Sequence, residues 1–378
     1  CLAIFYRQFF VMSYPAGLTG GMLALLVLVC CSCGNKEERL VNARANQLSD
    51  LYEHGAKPAF ELFAIQAEQL YESISSLTQA PDEAKLADSR SAWVAAATTY
   101  KRCELYFVGE VDRTRLKNKI HRWPANILEI KEALESESRS VETLNQANTY
   151  TVGLAAIEYL LFDQLAADSA VGSDLGENPE LDYLLLLSEY LMTIARELEQ
   201  AWDEYKEEFI SATDLGVFGS QNRMINSLVF HLEESVRYRL GIPLGEENQG
   251  NSQPTQIESP YAQISLGMLK AGFLETEKIL SGNYSPDVQG FGFFDYLMEI
   301  GEDERIVLRL EETIEAVDAQ INEIESRNTA TDLASLIADD KASVESLQTK
   351  FTDLLTVVKV DLTSLIGATV TLNDTDGD

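Results

Sequence analysis

The stretch Thr151-Val-Gly-Leu-Ala-Ala-Ile-Glu-Tyr-Leu-Leu-Phe162 constrains this chain more than any other. From Val152 to Phe162 it holds one charge, Glu158, among apolar and small residues. A proline-free run of this length is long for a strand and right for a buried helix. A carboxylate inside it must find a donor or a cation, or keep its proton, because a bare buried charge is costly. Gly153 weakens a helix by about 1 kcal/mol relative to alanine, which points to close packing or a neighbour against its backbone. The stretch is therefore both core segment and candidate site. Glu158 facing another acid across a polar pocket would be a binding group; Glu158 tied to an arginine or to backbone donors would be scaffold.

The rest of the chain continues the helical pattern. Pro58 suits a first helical turn, and Phe60, Phe63, Ala67, Leu70, Ile74 and Leu77 follow at helical spacing. Pro81-Asp82 opens a helix carrying Trp93, Tyr100 and Leu105 as far as Gly109. A polar connection leads to a short helix ending near 134, and the opening stretch belongs to a helix over about 141–164. A loop over 166–179 precedes a long helix over 180–211 and another over 220–240. Glu258-Ser259-Pro260 predicts a further helix start, with Ser259 as N-cap and the acid near the positive dipole end. That helix ends near Gly282. A short aromatic helix lies between Gly290 and Gly301, and two amphipathic helices cover about 302–325 and 331–358. Strand signals are nearly absent. The fold class is all-α, with about ten helices in two packed helical-bundle halves, spanning residues 44–178 and 179–370, followed by an acidic tail over 371–378.

The N-terminus reads as an export signal. Met22 to Cys31 is an apolar run too short to span a bilayer and right for a signal-peptide core. A small residue before a cysteine then looks like a bacterial lipobox. Cys33 after Ser32 is the preferred lipidation site and Cys31 the alternative. Residues 1–32 are read as a lipoprotein-type signal peptide and 33–43 as a linker. Lys36-Glu37-Glu38 resembles a tag for the outer cell surface. The implied partner is a lipid bilayer, reached through an acylated cysteine at the outer membrane, with the body periplasmic or surface-exposed.

The formal charge is −32, from 29 basic and 61 acidic residues. Such a surface argues against nucleic acid as a partner. Four of the five cysteines lie at or before position 33, so only Cys103 remains in the body and no disulfide framework exists. Cys103 is expected to be packed.

Few motifs carry chemistry. No phosphate-binding glycine loop, nucleophile elbow, paired-cysteine zinc motif or His-Glu-x-x-His is present. The tail Asp374-x-Asp376-Gly-Asp378 has calcium-like composition without the rest of the loop and is expected to be solvated. His231 and Glu234 share a helix face and are expected as a surface pair, with metal ligation the alternative. His54 and His121 stand in polar surroundings and are expected to face solvent. Glu104, between Cys103 and Leu105-Tyr-Phe107, is a second candidate buried acid, and Arg90, Lys101 or Arg102 could neutralise it. Trp93 and Trp123 are expected as core anchors. Glu258 and Ser259 are either a helix cap or part of a site.

These residues resemble the imelysin-like family. Its marker is Gly-x-His-x-x-Glu followed by Tyr-Leu-Leu-Phe, and here it reads Gly153-Leu-Ala155-Ala-Ile-Glu158-Tyr-Leu-Leu-Phe162. Supporting pieces are Arg90-Ser-Ala-Trp93, Glu104-Leu-Tyr-Phe-Val-Gly109, Ile120-His-Arg-Trp-Pro124, Leu240-Gly-Ile-Pro-Leu-Gly245, Glu258-Ser-Pro-Tyr261 with Ser265-Leu266, and Asp374-x-Asp-Gly-Asp378. The resemblance covers roughly residues 50–378. It implies two bundle-like halves with the marker near their interface, and a bacterial envelope protein linked to iron acquisition. Some relatives carry a metallopeptidase label. The marker histidine is replaced here by Ala155, which can neither ligate a metal nor share a proton with Glu158.

The resulting expectation is an envelope-anchored, non-catalytic binding protein acting on iron, haem or an iron-uptake partner. Its candidate site residues are Glu158, Gly153, Glu104, Glu258 and Ser259. Iron or another divalent metal is the candidate cofactor, with Glu158, His231 and Glu234 as candidate ligands. The alternatives are a metallopeptidase using Glu158 with remote ligands, and an interaction scaffold with a degenerate site.

Overall fold

The computed structural model describes residues 37–136, 139–165, 178–301, 304–327 and 332–371. The lipobox cysteines, the signal segment and the acidic tail from residue 372 lie outside them. Residues 37–43, read from the sequence as linker, are helical. From Arg44 onward the chain forms one unit.

Helix α1 (Lys57–Gln79) buries Phe60, Phe63, Ala67, Leu70, Ile74 and Leu77 along one stripe, and Pro58 sits in its first turn. Helix α2 (Glu83–Cys103) starts at Asp82, whose side chain accepts the Lys85 amide at 2.8 Å. These two pack against each other, and α4 (Pro179–Ser211) packs along α1. Their shared core is aromatic: Trp202 touches Tyr52, Phe60, Tyr205 and Phe209. Burying each such ring contributes roughly 1.5–3 kcal/mol. The long helix Pro179–Ser211 thus sits with the N-terminal helices, although the sequence reading placed it in the second half.

The remaining helices build the other side. Helix α5 (Ser220–Glu234), α6 (Ser265–Ser281), α7 (Glu304–Arg327) and α8 (Lys341–Thr356) carry it. α7 lies on α8, and α6 packs back onto α2, joining the two groups. α6 ends at Gly282 in the left-handed conformation, φ 75°. The following hairpin, Asn283–Ser285 with Val288–Gln289, was not legible in the sequence, because its strands are only two and three residues long.

Two predicted helices break. The one over 141–164 stops after Val141–Gln146 and restarts as α3 (Gly153–Glu158). Gly153 has φ 71°, and a Cβ on it would run into the carbonyl oxygens of Lys119 and Ile120. The helix predicted from Glu258 begins only at Ser265, because Ser259 and Gln263 take φ of 57° and 60°. Ser259 is therefore not an N-cap.

Among the described residues four helices carry π turns: Tyr159–Gln164 after α3, Ser235–Gly241 after α5, Val357–Leu362 after α8 and Leu51–Ala56 before α1. Such turns place side chains that regular helix spacing would not, and they recur at functional sites. The first two flank the charged cluster described below.

Gly153→Ala combines a left-handed backbone with a backbone collision. We expect it to destabilise the fold by at least about 2 kcal/mol, measured as a shift in urea midpoint at unchanged slope. A change within about 0.5 kcal/mol would show that the α2–α3 connection yields freely.

Candidate functional site

Glu158 is almost fully buried at the end of α3. Its Oε1 accepts three hydrogen bonds from the turn before α6: Ser259 Oγ at 3.0 Å, the Tyr261 amide at 2.9 Å and the Ala262 amide at 2.8 Å. Burial raises its carboxyl, while the Ala262 amide, the nearby His121 and Ser259 work in the other direction. The carboxylate thus anchors a turn: the chain bends at Ser259 and Gln263, which take positive φ, and the Tyr261 and Ala262 amides that no helix satisfies find this acceptor. Of the two futures the sequence left open for Glu158, the observed one is backbone donors.

The turn delivers Glu258 into a buried ring of charges. Lys101 Nζ lies 2.6 Å from both Glu104 Oε1 and Glu258 Oε1. Arg239 closes the ring from the opposite side, with Nη2 2.8 Å from Glu104 Oε2 and Nε 3.2 Å from Glu258 Oε2. Arg239 also reaches Ser235 Oγ and, at 3.5 Å, Glu234 Oε2. Both cations lie against the Trp123 ring, at 5.7 Å and 5.6 Å. Burial disfavours the charge on Glu258, but Lys101, Arg239 and His121 outweigh it and hold its carboxyl well below the ordinary range. Burial likewise opposes the charge on Arg239, and the carboxylates of Glu104, Glu258 and Glu234 overcome it, so Arg239 stays protonated.

The two histidines differ from the sequence reading. His121 is buried, with Nδ1 3.2 Å from Glu258 Oε1, and neither ring nitrogen makes a well-aligned hydrogen bond. It was read as solvent-facing because its sequence neighbours are polar; Tyr100 and Trp123 pack against it in space. His231 and Glu234 are not a surface pair. His231 is buried with Nδ1 3.7 Å from Glu104 Oε2, and its ring fits because Gly272 has no side chain. Burial, reinforced by Arg239 and Lys101, pushes its imidazole well below the usual range, so it is neutral. Burial raises the Glu234 carboxyl, although a quarter of its side chain remains open.

A cavity of about 400 Å³ opens beside the ring. Glu104, His121 and Glu234 line it on the ring side, Asp112, Lys117, Arg122 and Arg223 add further charges, and Tyr100, Trp123 and Phe230 supply aromatic walls. Trp123, expected in the core, is half-buried here, whereas Trp93 is fully buried and donates to the Leu154 carbonyl at 3.0 Å. Cys103 is buried as expected, and burial pushes its thiol up.

The sequence-derived candidates thus fall into two linked parts. Glu104 and Glu258 join the ring with Lys101, which the sequence flagged only as a neutralising group. Glu158 and Ser259 support the turn, and Gly153 positions α3. Arg239 and His121 were missed. The only signal for Arg239 was its place before Leu240-Gly-Ile-Pro-Leu244, an apolar context for a cation.

The Imelysin family model matches residues 56–358. The chain belongs to the imelysin family. Iron-regulated protein A from Synechococcus elongatus is 24% identical over 270 residues, covering 68% of this chain and 69% of that protein. An imelysin-like protein from Psychrobacter arcticum superposes with a TM-score of 0.72 at 17% identity, covering 88% of this chain and 98% of its own. A protein assigned as an iron-regulated protein A precursor from Parabacteroides distasonis gives 0.69 at 15% identity, covering 86% and 95%. Both structures share the fold.

A metal centre does not fit helix α3. Ala155 offers no ligand, and Glu158 Oε1 is engaged by three donors. Another trio, Glu104, His121 and Glu258, brings ligand atoms within 4.8 Å of one another. Its donor chemistry suits a transition metal, but Lys101 already stands between its two carboxylates.

Two outcomes follow. Glu158→Ala leaves two amides and a hydroxyl without their acceptor, and we expect a loss of about 2–4 kcal/mol in urea unfolding. For Glu258 the sign is set by its lowered carboxyl. Its stabilisation is full above the ordinary value of 4.5 and is lost as the pH falls towards the lower folded value. The stability gap between wild type and Glu258→Gln, about 3–5 kcal/mol at neutral pH, should therefore shrink on acidification. A gap that is constant with pH would mean that the charge on Glu258 contributes nothing.

Proposed function

We propose that this protein is an envelope-anchored, non-catalytic binding component associated with iron acquisition, and that its ligand occupies the cavity beside the charged ring. The observation that carries the reading is the engagement of Glu158: its carboxylate holds the 259–262 turn instead of facing a reactant. A hydrolytic site needs an activated water or nucleophile with a base in reach. Here the two ring carboxylates are matched by two buried cations. The iron association is supported by the names of the relatives from Synechococcus elongatus and Parabacteroides distasonis. The aromatic walls suit the planar apolar body of a haem or iron chelate, the part-open Glu234 can offer an oxygen ligand to its iron, and Lys117, Arg122 and Arg223 in the lining suit its carboxylates.

The anchoring belongs to the same proposal. Among the described residues no helix is long and apolar enough to cross a membrane. Acylation at Cys33, or at Cys31, would hold the body at the outer membrane.

Binding is tested by titrating the mature chain with ferric citrate and with hemin while following tryptophan fluorescence. Quenching by at least one of them should fall at least about tenfold in affinity in Glu234→Gln, and the quenched signal should disappear in Trp123→Phe. No quenching by either probe would remove iron and haem as ligands. Catalysis is tested on unstructured peptide with and without added Zn²⁺. Cleavage that is lost in Glu158→Ala would establish the metallopeptidase reading instead. Anchoring is tested by fractionating cells that carry Cys33→Ser, Cys31→Ser or both; a double variant that stays with the membrane would exclude acylation at these cysteines.

A further inference from the structure

Lys101 sits where a metal ion would be expected. Its ammonium is fully buried and lies 2.6 Å from one oxygen of each of two carboxylates, Glu104 and Glu258. The same Glu258 oxygen, Oε1, is 3.2 Å from His121 Nδ1. The imidazole is buried and makes no well-aligned hydrogen bond through either nitrogen. A structure that buries a polar ring normally satisfies it, and a ring left open beside two carboxylates is how a metal ligand stands before the ion arrives.

We infer that Lys101 is a tethered cation that takes the place of a divalent metal between Glu104, His121 and Glu258, so that this chain closes the site to metal by its own side chain. The physical reasons are charge and space. An ion at ligand distance from both carboxylates, about 2.0–2.2 Å, would occupy the volume of the ammonium and repel it. The ring as built is balanced, two carboxylates against Lys101 and Arg239. A dipositive ion added to it would leave buried excess positive charge. Exchange of ammonium for metal leaves one excess positive charge instead of two, with Glu234 beside Arg239 to offset it, and Arg239 on the far oxygens of both acids can stay. His121 is the residue that gains, because an imidazole whose nitrogens make no well-aligned hydrogen bond here can ligate a metal. This inference concerns the ring and not the cavity ligand proposed above, and its test uses no cavity ligand.

The experiment titrates the mature chain with Zn²⁺ against a chromophoric chelator, and with Co²⁺ by visible absorption. Lys101→Met should gain one stoichiometric site, at least about tenfold tighter than any site of the wild type. It should also show cobalt bands absent from the wild type. The double variant Lys101→Met/His121→Ala should lose both gains. Zn²⁺ should raise the melting temperature of Lys101→Met and leave that of the wild type within the shift seen for His121→Ala. A folded Lys101→Met that gains no site overturns the inference. Lys101→Gln, which keeps one hydrogen bond to the carboxylates, takes its place if the methionine variant does not fold. The wild type provides an independent check. If wild type binds Zn²⁺ stoichiometrically and His121→Ala abolishes that binding, the trio holds metal with Lys101 present and the inference fails.

Discussion

Glu258 reaches the centre of this molecule because the Glu158 carboxylate holds the turn that follows it. The turn between Glu258 and Ser265 has two residues at positive φ and amides that no helix satisfies. Glu158 Oε1 accepts two of those amides and the Ser259 hydroxyl. Burying that acceptor costs solvation, and three donors offset the cost. With the turn fixed, Glu258 can face Lys101 and Arg239 in a place where water cannot take over. Breaking either the anchor or the ring leaves buried charge without a partner, so the two features stand or fall together.

The charged ring also explains where the two groups of helices meet. Lys101 and Glu104 come from the end of α2, His121 from the connection after it, and Arg239 from the π turn after α5. Ion pairs alone are weak evidence for stability, because desolvation consumes most of their gain. What they supply here is register: planar guanidinium and carboxylate groups tolerate little sliding. The aromatic layer around Trp202 and the α7–α8 packing carry the apolar burial instead.

Much of the helical architecture was legible because its signals are local. The α1 stripe from Phe60 to Leu77, the Asp82 cap and the Gly282 stop each depend on a few neighbouring residues, and each is found where the pattern places it. The failures share one cause. The helix expected from Glu258 is a turn because a carboxylate about a hundred residues away takes its amides. The helix expected through Gly153 restarts there because the Lys119–Ile120 carbonyls lie against it. His121 and His231 were placed at the surface by their sequence neighbours and are covered by residues distant in the chain. That the long helix from Pro179 packs along α1 was not legible, because helical spacing shows an apolar face without naming what covers it.

Sequence by itself determined that the chain is built from helices, that Glu158 would be buried and would need a partner, and that position 155, one helical turn before it, holds alanine. These follow from periodicity, from the cost of a buried charge and from residue identity. Tertiary structure decided which partners Glu158 takes: two backbone amides and the Ser259 hydroxyl. It also decided that Lys101, one of several basic residues on its helix, stands between Glu104 and Glu258. Pairings of this kind depend on distances between segments far apart in the chain, and no local pattern encodes them.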